Sequence, residues 1–110
     1  MITILPEYTF EGGSFTLCDD GKEVSKCVYQ AAPGRGEITE LIFEEGCKFN
    51  FIDSVVRAVL NSLDLRGVTT VKCKNKSIFT ELVKIGFTVT EDEAVINTTE
   101  FFNQPCKGCK

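Results

Sequence analysis

The chain has 110 residues and a formal net charge of −4, with 43% hydrophobic and 25% charged residues. This length suits one domain, and the composition is that of a globular protein, which excludes a disordered or fibrous chain. No histidine is present, so Ser-His-Asp and Cys-His catalysis are excluded and a metal site would need Cys and carboxylates. The acidic balance, without a basic stripe, predicts that nucleic acid is not a partner.

The N-terminal residues 1–7 carry no positive charge and no long apolar run, so they do not resemble a signal peptide. No segment approaches the roughly 18 apolar residues of a membrane span. We therefore expect a cytoplasmic protein with no membrane partner. Cys18, Cys27 and Cys73 lie in strand-like runs, where cysteine behaves as a small hydrophobic residue.

The first third of the chain has the pattern of strands. Ser14–Cys18 alternates in polarity, residues 19–22 read Asp-Asp-Gly-Lys and predict a hairpin turn, and Glu23–Gln30 is the returning strand. A second turn at residues 32–36 leads into a third strand over Glu37–Phe43. These elements predict an antiparallel meander.

The pattern then changes to a helical period. Asn50 is a suitable N-cap, Asp53 falls at N3 of the predicted helix, and Gly67 is a suitable C′ residue. Apolar residues recur at the spacing of one helix face; they are Ile52, Val55, Val56, Val59, Leu60 and Leu63.

A strand over Val68–Cys73 follows, and then a second helix that Asn75 or Ser77 can cap and that ends at Gly86. The apolar side of this helix comprises Ile78, Phe79, Leu82 and Ile85.

A final hairpin is predicted from Phe87–Thr90 and Ala94–Phe102. The order is β-β-β-α-β-α-β-β, an α/β (α+β) fold with a mixed, mostly antiparallel sheet and two helices. The strand-helix-strand unit in the middle implies one right-handed parallel crossover. We assign residues 1–102 to a single domain and residues 103–110 to a C-terminal tail.

From about Gly13 to Phe102 the chain resembles the GCN5-related N-acetyltransferase (GNAT) superfamily. Residues 75–87, Asn-Lys-Ser-Ile-Phe-Thr-Glu-Leu-Val-Lys-Ile-Gly-Phe, are similar to the family segment Asn-x-x-Ala-x-x-x-Tyr-x-x-x-Gly-Phe. Glu37–Phe43 is similar to the central strand that precedes the acetyl-CoA loop. The resemblance implies the acyl-CoA N-acyltransferase fold, with acetyl-CoA as the acyl donor.

The sequence also departs from the family pattern. The family loop Arg/Gln-x-x-Gly-x-Gly/Ala corresponds here to residues 48–53, Lys-Phe-Asn-Phe-Ile-Asp. Phe51 and Asp53 stand where small residues would let backbone N–H groups approach a pyrophosphate, and Asp53 would place a carboxylate at the phosphate position. Leu82 aligns with the tyrosine that often donates a proton to the leaving thiolate. Residues 1–13 leave room for only a short strand before Ser14, so we expect a truncated, degenerate member of the superfamily.

The resemblance assigns candidate site residues. Backbone groups of Ile42 and Phe43 would orient the thioester, and Glu44 or Glu45 would relay the proton if the chain is active. Simpler interpretations are a solvated turn at Glu44 and Glu45, and a helix cap with a nearby surface lysine at Asp53 and Lys48. The full set of predicted cofactor-binding residues is Ile42, Phe43, Lys48, Phe49, Asn50, Phe51, Ile52, Asp53 and Asn75.

Most of the phenylalanines are expected in the core, while Phe49 and Phe51 are expected to fill the cleft beside the loop and leave it narrow. The set comprises Phe43, Phe49, Phe51, Phe79, Phe87, Phe101 and Phe102.

Cys106 and Cys109 form the only Cys-x-x-Cys pair. The pair is half of a zinc site or a redox dithiol, and a disordered tail is the simpler interpretation. Zinc is not the cofactor that we expect.

Three functions remain open from the sequence. The first is a non-catalytic binding, regulatory or dimerising GNAT-like module, which the departures favour. The second is a small, active acetyl-CoA-dependent N-acetyltransferase, because acyl transfer depends largely on positioning. The third is a metal or redox protein that uses Cys106 and Cys109. A shortened sheet would leave apolar surface exposed, so we also predict a homodimer.

Overall fold

A seven-stranded sheet forms the centre of the computed structural model, which describes residues 1–103. The strand order is β1-β2-β3-β4-β5-β7-β6, and every neighbouring pair is antiparallel except β4 and β5. The strands are β1 (Ile2–Thr9), β2 (Gly12–Asp19), β3 (Lys22–Ala32), β4 (Arg35–Phe43), β5 (Thr70–Cys73), β6 (Thr88–Val89) and β7 (Ala94–Asn97). The helices are α1 (Phe49–Leu65), α2 (Phe79–Ile85) and α3 (Thr98–Asn103), and a 3-10 turn, Lys76–Ile78, precedes α2.

The predicted fold class and the order of the central elements are confirmed. All six residues of the predicted α1 face are buried, and so are Ile78, Leu82 and Ile85 at α2. The hairpin between β2 and β3 turns at Asp20 and Gly21, both of which have positive φ angles, as a primed turn requires. Gly67 and Gly86 follow the two main helices with positive φ angles, as predicted.

Two predictions about the ends of the chain are wrong. Residues 2–9 form a full eight-residue edge strand that pairs with β2, where only a short strand was expected. The stretch predicted as the last strand divides at Asn97, and Thr98–Asn103 is helical. The Asn97 side chain accepts a hydrogen bond from the Glu100 N–H at 3.0 Å, and the buried Thr98 hydroxyl donates to Asp64 and to the Val68 carbonyl. An Asn followed by Glu three residues later is a helix-start signal.

The helix α1 packs on one face of the sheet, against β2, β3 and β4. Side chains alternate across a strand, so Cys27, Ile38 and Leu41 face α1 while Lys26 and Glu37 face the other side. Within residues 1–103 no helix covers that other face, which we call the open face. It carries charged and polar side chains, such as Lys26 and Glu37, beside the apolar Ile42, which is 53% exposed. The homodimer stays a prediction.

Cys27 gives the fold a measurable pH dependence. Complete burial, with a smaller effect of Cys73, raises the pKa of the Cys27 thiol far above its usual range. Above the unfolded-state pKa of about 8.5 the unfolded chain releases this proton and the native chain keeps it. Unfolding free energy should therefore fall between pH 8.5 and 10, by up to about 1.4 kcal/mol per pH unit from this one group. Urea titrations of the parent and Cys27→Ala should show a flatter pH slope for the variant; equal slopes would contradict this assignment.

Candidate functional site

The two parallel strands of the sheet, β4 and β5, stop pairing next to a bulge in β4. Pairing of β4 with β5 runs from Arg35 opposite Thr70 to Ile38 opposite Cys73 and then ends. On its other edge β4 pairs Ile38 with Tyr29 and Glu40 with Val28, which leaves Thr39 as the extra residue of a bulge. The Thr39 hydroxyl donates to the Val28 carbonyl at 3.2 Å. The bulge thus lies next to the end of parallel pairing, and among residues 1–103 no strand pairs with β4 beyond Thr39 on the β5 side.

Backbone polar groups line this open edge. The Glu44 N–H donates to the Val24 carbonyl at 3.1 Å, toward β3. Hydrogen-bonding direction alternates along a strand, so the N–H and C=O groups of Leu41 and Phe43 point to the open edge. The backbone of Ile42 points to β3, where Ile42 pairs with Lys26. Leu41 and Phe43, and not the predicted Ile42, therefore present backbone groups at the open edge.

The helix α1 begins beside the end of β4, and its first turn is not capped by a side chain. The N-cap is Lys48, with no side-chain hydrogen bond and no acidic residue in the first turn, so the prediction of Asn50 as N-cap is wrong. The N–H groups of Phe49 and Asn50 have no hydrogen-bond partner in the part of the chain that the structure describes. The positive end of a 17-residue helix is consequently open to an anion.

Asp53 does not occupy the anion position. It lies in the second turn of α1, and its Oδ2 accepts a hydrogen bond from Nε of Arg57 at 2.7 Å. The expectation that Asp53 places a carboxylate at the phosphate position is therefore wrong. The helix begins at Phe49, one residue before the predicted cap Asn50, and the Asp53 carboxylate forms an ion pair with Arg57 one turn further along α1. Ile52 is buried and belongs to the core.

Aromatic and basic side chains surround the first turn of α1. Phe51 is half-buried and packs against the core, and its carbonyl accepts a hydrogen bond from the Ser25 hydroxyl at 2.8 Å. Phe49 is 37% exposed, and Nζ of Lys84 lies 5.6 Å from the centre of its ring. Lys84, on α2, thus joins Lys48 near the helix N-terminus. Sequence reasoning missed Lys84 because only the folding of α2 beside α1 brings it there.

Two residues of the family-like segment have structural roles. The Asn75 side chain accepts hydrogen bonds from the N–H and the hydroxyl of Ser77, so it caps the 3-10 turn before α2. Leu82 is fully buried and contributes to the core, with no polar atom to offer a substrate.

The expectation that most of the phenylalanines belong to the core holds for four of the seven, which lie in the core or pack against it. Of the seven, Phe87 is buried, while Phe43, Phe49 and Phe102 are each 37–40% exposed. Phe51, Phe79 and Phe101 are half-buried at the margin of the core. Phe43 and Phe49 therefore leave apolar surface accessible around the open edge.

A depression of about 710 Å³ lies on the open face at the β3–β4 turn and the start of β4, and Glu37, two residues before the bulge, is the lining residue of β4 nearest to it. Glu37 and Lys72 are directly paired in the parallel register, one residue before pairing ends, and both line this depression. Glu40 faces the same side, opposite Val28, and is exposed. Glu44 and Glu45, the carboxylates predicted from the sequence, lie instead at the α1 end of β4, where Glu44 pairs with Lys22 at 3.3 Å.

The remaining predictions concern the Cys-x-x-Cys pair, metal binding and membrane spans. Cys106 and Cys109 fall outside the described residues. Residues 1–103 contain no group of three or more His, Cys, Asp or Glu side chains arranged to hold a metal ion. Over the same range, no helix combines the length and apolarity needed to cross a lipid bilayer.

Comparison with known proteins shows which of them share this fold. No family model matches the sequence, and no curated protein matches it. Solved structures do match. A GNAT family acetyltransferase from Elizabethkingia anophelis with acetyl-CoA bound aligns with a TM-score of 0.72 at 9% identity, over 87% of this chain and 97% of that one.

Two further structures agree. The ribosomal-protein-S18-alanine N-acetyltransferase from Escherichia coli aligns with a TM-score of 0.63 at 14% identity, over 81% of this chain and 68% of that one. PaiA N-acetyltransferase from Thermoplasma acidophilum in complex with coenzyme A aligns with a TM-score of 0.64 at 11% identity, over 78% and 59%. The chain therefore has the fold of the GNAT acetyltransferases.

Proposed function

We propose that this chain binds acetyl-CoA at the open edge of β4 and transfers the acetyl group to an amine. One observation carries the proposal: the uncapped first turn of α1 meets a strand edge with unpaired backbone groups. The fold supports it, because structures with the same fold include one with acetyl-CoA bound and one in complex with coenzyme A. The first of these aligns over 97% of its length, so a domain of this extent is sufficient for acetyl-CoA binding in that protein.

The N-terminus of α1 is suited to the phosphates. The free N–H groups of Phe49 and Asn50 and the helix dipole favour an anion there. Lys48 is exposed, and Lys84 reaches the same turn over Phe49. No carboxylate lies in the first turn to oppose binding, and Asp53, in the second turn, pairs with Arg57.

The edge of β4 is suited to the pantetheine arm. Unpaired N–H and C=O groups at Leu41 and Phe43 can exchange hydrogen bonds with the amides of that arm, as a further strand would. The open stretch from Thr39 to Phe43 spans about 13 Å at ~3.3 Å per residue. It runs from the helix N-terminus toward Glu37, which lies two residues before the bulge and lines the depression, so the donor and acceptor regions meet near Glu37.

Glu37 and Glu40 are the carboxylates placed to accept a proton. Both face the open side of the sheet, on either side of the Thr39 bulge. When bound, acetyl-CoA supplies a thioester whose carbonyl carbon takes the acceptor nitrogen. In the net reaction a C–N bond replaces the C–S bond, the leaving thiolate takes one proton, and the ammonium form of the acceptor releases two, of which Glu37 or Glu40 accepts the first.

Thiol release from acetyl-CoA across a panel of amines tests this function. We expect turnover by the parent chain and a loss of about 10²-fold or more in kcat for whichever of Glu37→Gln and Glu40→Gln removes the base. Glu45→Gln, at an exposed residue of the turn after β4, is the matched control. Binding of acetyl-CoA without turnover of any amine would contradict catalysis and favour the non-catalytic module.

A further inference from the structure

The depression at the β3–β4 turn has an unusual balance of charge. Its wall combines three carboxylates and three cations, contributed by the β1–β2 turn, β4, β5 and the segments that follow β5 and precede β7. The six are Glu11, Arg35, Glu37, Lys72, Lys74 and Glu93.

Only part of this charge is neutralised internally. Nζ of Lys72 lies 3.6 Å from a carboxylate oxygen of Glu93. Arg35, Lys74 and Glu37 have no ion-pair partner among the residues that the structure describes. A concave wall thus presents free charges of both signs.

The spacing of two of these charges is defined by the strand. Arg35 and Glu37 are two residues apart on β4 and so project from the same face, about 7 Å apart at their backbones. Glu37 is half-buried and directly precedes the last parallel pair. Burial raises the pKa of the nearby Cys73 thiol, and the charge of Glu37 adds a smaller increase. Arg35 is exposed and lies farther from the bulge. A molecule with its amine at Glu37 would hold an anionic group toward Arg35.

We infer that the acceptor is a small zwitterion, a primary amine with a carboxylate a few ångströms away, as in a free amino acid. Arg35 offers a planar, two-pronged donor for the carboxylate, and Glu37 receives the ammonium beside the thioester region. A volume of about 710 Å³ lies in the range of small-ligand sites. This inference rests on the proposed acetyl transfer and adds the class of acceptor to it.

Four acceptors separate the possibilities: alanine, alaninamide, ethylamine and a tripeptide that begins with alanine. Thiol release from acetyl-CoA should give a kcat/KM for alanine at least tenfold above that for alaninamide, which keeps the amine and lacks the carboxylate. Arg35→Gln should reduce this ratio to about one. The matched control Arg66→Gln, an exposed arginine beside Tyr8, should leave the ratio unchanged.

The experiment distinguishes failure of the zwitterion inference from failure of the proposed acetyl transfer. Thiol release at equal rates from alaninamide, ethylamine or the tripeptide, or an unchanged ratio in Arg35→Gln, would overturn the zwitterion inference and leave acetyl transfer standing. Absence of thiol release with every amine would overturn both.

Discussion

Asn50→Asp is expected to weaken acetyl-CoA binding at least tenfold while making the protein slightly more stable. The substitution is nearly isosteric, and Asn50 is exposed in the first turn of α1. A carboxylate there stabilises the helix dipole by about 0.3–1 kcal/mol. The same charge repels the phosphates of the ligand, and two like charges about 4 Å apart near a protein surface cost on the order of 4 kcal/mol. Calorimetric titration with acetyl-CoA and thermal unfolding of the free protein measure the two effects.

This variant is informative because it should weaken acetyl-CoA binding and raise stability at the same time. Asn61→Asp adds the same charge to an exposed position of α1 far from its N-terminus and should change the Kd less than twofold. An unaltered Kd in Asn50→Asp, or an equal loss in Asn61→Asp, would mean that the phosphates do not bind at the helix N-terminus.

Gly12→Ala should be among the most destabilising single substitutions in the chain, lowering the unfolding free energy by about 3 kcal/mol or more. A Cβ atom at Gly12 would lie 2.1 Å from the Tyr29 carbonyl oxygen and 2.7 Å from Cα of Gln30. These are backbone atoms of the paired strand β3, so no side-chain rotation relieves the overlap. The β2–β3 pairing would have to separate locally, and urea denaturation would report the loss.

Gly34→Ala provides the matched comparison. Gly34 has a φ of +81°, and nothing lies within 4 Å of an added Cβ, so this variant bears only the cost of the left-handed conformation, about 1–2 kcal/mol. Equal losses in the two variants would show that the close approach of β2 to β3 at Gly12 does not limit stability.

Local patterns in the sequence were sufficient for most of the fold. The six-residue face of α1 and the turn at Asp20 and Gly21 are set by neighbouring residues, and both were predictable. β1 was harder to predict because a Pro-containing, exposed edge strand has little alternation of polarity, as residues 2–9 show. The helical signal at Asn97 and Glu100 was present but was overlooked beside the β-branched run before it.

The site was less predictable because its parts come together only through tertiary contacts. The helix α1 begins two residues earlier than predicted, which places Asp53 in the second turn, where it pairs with Arg57. This reversed the electrostatic argument against anion binding. The sequence placed Glu37 in a strand but gave it no role. Its position in the site depends on the bulge at Thr39 and on where pairing with β5 ends, and both are features of the folded sheet. Asp53 and Arg57 are four residues apart, a spacing that predicts an ion pair on a helix, whereas spacing along the sequence carries no signal for the bulge.

The location of acetyl-CoA is the central claim, and an amide ¹H–¹⁵N NMR titration of the intact chain with acetyl-CoA tests it most directly. We predict that the largest chemical-shift changes occur at the amides of Leu41, Phe43, Phe49 and Asn50, with smaller ones near Lys84. The amide signals of Asn61 and of β1 should not shift. Saturable changes confined to other parts of the sheet, or no change at millimolar acetyl-CoA, would contradict the account.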